Sequence, residues 1–152
     1  MAKPILIRDR FYWNVEQHVG VGGANKTDDV HLVQLGYFCM ALVKAPEVPA
    51  EMIAAAAKIK PGDSYGGGPN EDLSVAIKLH QKLRGGVQDG VISPATGNAG
   101  QYAPHLFWMI ISLDHNIADQ LGNNWPHLDK HPRCTAALAS VAKTTFEILG
   151  KK

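Results

Sequence analysis

The chain has 152 residues, 45% of them hydrophobic, with 15 Lys and Arg against 14 Asp and Glu and a formal net charge of +1. That length suits one packed core with a subsidiary lobe, and the near-neutral balance excludes a general electrostatic affinity for nucleic acid or an anionic membrane surface. Two cysteines, Cys39 and Cys134, are too few for the disulfide framework of a small secreted scaffold and leave at most one bridge.

Residues 1–13 lack a continuous apolar stretch and are interrupted by Arg8, Asp9 and Arg10, so they do not read as a secretory leader. The expectation is synthesis in the cytoplasm, with any export by a route the sequence does not encode. The longest apolar run, Leu106 to Ile111 with Leu113 beyond Ser112, is far too short to cross a bilayer, so no membrane partner is expected.

In chain order, Pro4 to Ile7 and Phe11 to Val15 are β-prone segments around the charged turn Arg8-Asp9-Arg10. Gly20 to Asn25 is a glycine-rich approach to a helix. It lacks the Lys and Ser or Thr placed directly after the last glycine of a phosphate loop, so it reads as a turn needing positive φ. A main core helix is expected from a Thr27 or Asp28 cap to about Lys44, with Val30, Val33, Tyr37 and Met40 or Ala41 facing inward. Pro46 and Pro49 end it, and Pro49 opens an alanine-rich helix through Ala50 to Ile59.

Pro61 to Asn70 is a loop by composition, and Asn70 is the expected cap of a third helix. Leu73, Ala76, Ile77, His80 and Leu83 would share its inner face, and Gly85-Gly86 would stop it. Val91-Ile92 forms a minimal strand between the Asp89-Gly90 and Ser93-Pro94 turns. The 106–112 segment, aromatic and β-branched, reads as a buried strand followed by a helix from near Asp114. One long helix from Pro104 to Leu121 is the competing reading. Thr135 then caps a last helix carrying Leu138, Val141, Ala142 and Leu149.

An ordered series of short motifs resembles the peptidoglycan-binding-domain-like family, small three-helix modules of cell-wall enzymes and of phage or secretion-system proteins. The series comprises Val19-Gly20 through Asn25, Asp28-Asp29-Val30, and Leu32-Val33-Gln34. It continues with Asp63-Ser64-Tyr65-Gly66 and Gly68-Pro69, then Ala76-Ile77 with Gln81, and Asp89-Gly90-Val91 with Pro94. The resemblance covers roughly residues 19–97. The chain departs from the pattern at Ser64, where the turn usually has glycine, in the lengthened run Gly66 to Gly68, and in the extra Ala50 to Ile59 segment.

The resemblance implies a mainly α fold: a three-helix bundle over 19–97, elaborated by a small β-sheet and by a 104–150 extension packed on it within one domain. It implies a non-enzymatic module binding the glycan or stem peptide of peptidoglycan, with Tyr65, Asn70, Gln81 and Asp89 rimming a shallow groove. Residue chemistry supplies a plainer role beside it. Asp63 and Asp89 suit bonds to turn amides, and Gln34 or Gln81 can tie a helix to a loop. A second functional class is a protein-contacting component of a phage-like or secretion apparatus.

The third class is a zinc peptidase, suggested by His115, Asp119, His127, Asp129, His131 and Cys134 within one segment. The 112–119 run and Asp129-Lys130-His131 faintly resemble the zinc segments of D-alanyl-D-alanine peptidases. The His115-to-Asp119 interval is shorter than that family's, however, and no His-Glu-x-x-His pair exists. No catalytic residue, cofactor or resident metal is therefore assigned. His80 reads as a hydrogen-bonded core histidine and Cys39 as a small buried hydrophobe. Cys134, beside Arg133, is a candidate for a lowered pKa.

Overall fold

The computed structural model describes residues 1–7, 9–96 and 108–150. Among them are five α-helices and two small antiparallel ladders, so the chain is mainly α. Strands β1 (Lys3–Ile7) and β2 (Arg10–Asn14) form a hairpin in which Lys3 faces Asn14 and Ile7 faces Arg10. Asp9, at φ 64°, takes the left-handed conformation at its turn.

Helix α1 (Thr27–Val43) is the spine, with Leu32, Val33, Leu35, Tyr37 and Cys39 all fully buried. No side chain caps it. The expected caps fail because its first-turn acids are used by distant chain. Asp28 accepts the Ala2 N–H, and buried Asp29 accepts those of Glu16 (2.9 Å) and Gln17 (3.0 Å). These bonds pin the N-terminal segment to the positive end of α1.

Helix α2 (Ala50–Ala57) packs on α1, and α3 (Asp72–Arg84) packs on α2. Glu71, not Asn70, occupies the N-cap position of α3, and Gly85 at φ 77° closes it in the left-handed conformation. The inner face of α3 runs through Leu73, Ala76, Ile77 and His80, while Leu83 is 40% exposed. Strand β3 (Val19–Gly20) pairs with β4 (Val91–Ile92). Gly20 sits at φ 138°, where an added Cβ would lie 2.0 Å from the Gly90 carbonyl oxygen. Only glycine permits that approach.

From Met109 the expected strand is a helix, α4 (Met109–Leu121), and among the described residues no third strand joins the hairpin. Residues 106–107 lie outside the described residues, as does the start of the long-helix reading at Pro104. Ile110, Leu113, Ile117 and Leu121 recur at intervals of three and four and are buried, so the helical half of the segment sets the register of its β-branched start. Helix α4 lies along α1, and at the crossing a Cβ on Gly36 would fall 2.6 Å from that of Leu113. Helix α5 (Ala136–Gly150) buries Leu138, Val141 and Ala142 but leaves Leu149 39% exposed, off the expected face. Thr135 Oγ1 accepts the Leu138 N–H at 3.3 Å, as a cap should. Among the described residues no helix is long and apolar enough to cross a membrane.

Candidate functional site

The 61–70 loop is held at three points. Gln34, buried on α1, donates to the Asp63 carbonyl at 2.8 Å and accepts the Gly62 N–H at 2.9 Å. Glu71 turns back to accept the N–H groups of Gly66 (3.0 Å) and Gly68. These amides, Gly66 first, draw the Glu71 carboxyl below its usual range. Gly67, at φ 78°, packs against the Asn25 side chain, which in turn bonds both backbone groups of Gly20.

Half-buried Tyr65 packs against the core and shares a 2.6 Å hydrogen bond with Ser74. Desolvation raises its phenol pKa. Tyr65 and Asn70 line a hollow of about 350 Å³ together with Gln34, Lys58, Lys60, Asp63, Ser64 and Asp72. Its wall is largely polar, with one aromatic ring and charges of both signs. The loop is thus positioned by its own hydrogen bonds, and its aromatic residue is fixed before any ligand arrives.

Gln81 and Asp89 stand elsewhere, toward the other end of α3. Buried Gln81 donates to Asp89 Oδ1 (2.9 Å) and to the Val91 carbonyl (3.0 Å), and accepts the Gly90 N–H at 2.9 Å. Asp89 Oδ1 also accepts the Val91 N–H at 3.0 Å. Both residues line a second hollow of about 340 Å³ with Arg84, Val87, Ile92 and Trp108. The four expected rim residues therefore divide between two hollows, and Gln81 spends its amide on the β3–β4 corner.

The histidines and acids of the C-terminal segment do not converge. His115 meets the edge of Tyr12 at 5.6 Å, His127 packs on Phe146 at 4.3 Å, and His131 lies 3.6 Å from Cys39 Sγ. No group of three or more His, Cys, Asp or Glu among the described residues is placed to hold a metal ion. Both cysteines are free thiols. Burial pushes Cys39 up to about 12. Cys134 goes the opposite way from the expectation: burial, then Asp129, raises it to about 11, and Arg133 lies over the Phe38 ring at 4.6 Å. A thiol so protonated is a poor nucleophile.

His80 is the expected core histidine. Its Nδ1 lies 3.0 Å from the Tyr37 hydroxyl, and desolvation, with Arg84 adding to it, lowers its pKa to about 4. Two features escaped sequence reading. The Glu71 clamp is one, although a carboxylate three residues after Gly68 is placed to hold a glycine loop. Asp114 is fully buried on α4, with neither oxygen in a hydrogen bond, and no local signal announces it. Compared with known proteins, the chain matches no family model, no curated protein and no solved structure.

Proposed function

We propose that the chain is a non-enzymatic cell-wall module, built on a three-helix core of α1 to α3, that binds peptidoglycan in the hollow beside the 61–70 loop. The observation that carries the reading is the lining of that hollow. A tyrosine held by its bond to Ser74 shares the hollow with Asn70, Ser64 and Gln34, and with the charged residues Lys58, Lys60, Asp63 and Asp72. Sugars stack on aromatic faces and present hydroxyls and amides to such groups, and a stem peptide offers carboxylates to the lysines. Gln81 and Asp89 serve the fold in this reading and leave the ligand to Tyr65 and Asn70.

An open hollow of this size buries little of a polymer, so the affinity is modest, roughly micromolar to millimolar. Co-sedimentation with purified peptidoglycan tests it. Retention above that of an unrelated protein of like charge is expected, and retention no greater than that control overturns the reading.

A further inference from the structure

A second site stands apart from the 61–70 loop, at the seam between β2 and α4. There a hollow of about 300 Å³ is lined by Phe11 and Tyr12 from the hairpin, Asp114, His115 and Ala118 from α4, and Trp125 beyond it, with exposed Arg10 at its edge. Asp114 is 0% exposed, and neither carboxyl oxygen meets a donor at hydrogen-bonding distance and angle. The backbone N–H of Trp13 lies near enough to favour the charged form, but burial outweighs it and holds the carboxyl well above its usual pKa range. An unpaired buried carboxyl is costly, and an aliphatic side chain here would suit the fold better. Its presence beside a hollow calls for a partner that the described residues do not supply in good geometry.

Ring faces attract cations, and three of the lining side chains are aromatic. Among the described lining residues, Arg10 is solvent-exposed and therefore screened. The geometry points to a binding site for a small primary ammonium ion in this hollow, its cation paired with the Asp114 carboxylate and its carbon chain laid against Phe11, Tyr12 and Trp125. Pairing with the cation favours the charged form of Asp114, against the burial that disfavours it. This site is independent of peptidoglycan binding and stands or falls separately from it.

Titration with phenethylammonium, beside its neutral near-isostere 2-phenylethanol, tests the site by calorimetry. The ammonium is expected to bind saturably at neutral pH. The alcohol and the Asp114→Asn variant should each show affinity weaker by at least about tenfold. Ala118→Phe, which fills the hollow and leaves Asp114 in place, should also abolish binding, and it serves as the test should Asp114→Asn fail to fold. Absence of saturable binding overturns the site. So does an alcohol that binds as well as the amine, or full affinity retained in either folded variant.

Discussion

The two glutamines do the same thing beside two hollows, and they differ in how much of the neighbouring loop each one fixes. Gln34 on α1 ties down Gly62 and Asp63, and Gln81 on α3 ties down Gly90 and Val91. At the second corner Asp89 joins the network and a β-ladder runs through it, so its polar groups are turned toward one another. At the first corner the clamp secures only the start of a longer loop, and the remainder presents Tyr65 and Asn70 to a hollow. A motif glutamine thus reports a fixed backbone, and the side chains of the longer loop are left to line the hollow beside it.

The largest effect that would break this comparison is expected at the tight corner. Gly20→Ala forces a side chain into the Gly90 carbonyl at a φ that L residues avoid, and should cost about 4 kcal/mol in denaturant unfolding. Gln81→Ala strands the Gly90 N–H and the Val91 carbonyl and should cost about 3 kcal/mol, against about 2 kcal/mol for Gln34→Ala. Equal losses at the two glutamines would erase the distinction between the corners.

His80, adjacent to Gln81, gives that end of α3 a pH dependence. Its pKa of about 4 lies below the ordinary 6.5, so between those values the unfolded chain binds more protons than the folded one. The contribution is fully present above the ordinary value and is lost as pH falls toward 4, a total of about 3 kcal/mol. Asp114, its pKa raised, acts in the opposite sense, contributing at low pH and losing that contribution as pH rises. The stability difference between the native chain and His80→Gln, followed from pH 7 to 4, isolates the histidine and should shrink steadily on acidification. The smallest stability effect, about 1 kcal/mol, is expected for Tyr65→Ala, yet it should lower peptidoglycan retention about fivefold. Asp89→Asn should leave retention unchanged.

Sequence periodicity marked α1, α2, α3, α5, the hairpin and even the two-residue strand at Val91, because each is bounded by local signals: prolines, glycines, an Asp-Gly turn. It misread the start of α4, where Trp108 to Ile111 favours a strand locally and becomes helical by continuity with Ile117 and Leu121. The expected Asp28 cap failed for a related reason, since its carboxylate bonds the Ala2 N–H that tertiary folding brings to it. Tyr65 and Asn70 were legible as a pair because they belong to one loop. Their separation from Gln81 and Asp89 was not legible, since sequence order does not say which end of α3 a hollow opens on. Asp114 was not read as buried, because it stands in the polar run Asp114-His115-Asn116 that an exposed helix face could have carried.

The contact between Gly36 and Leu113 has a consequence for portability. A spine helix notched to receive its neighbour cannot be separated from it cheaply. A fragment ending at residue 96 would bare the α1 surface that α4 covers and forfeit the burial of Ile110, Ile111, Leu113, Ile117 and Leu121. At about 2 kcal/mol for each side chain, that loss rivals the whole stability of an ordinary domain. The 19–97 region is therefore expected to travel in fusions and truncations only with its C-terminal helices attached.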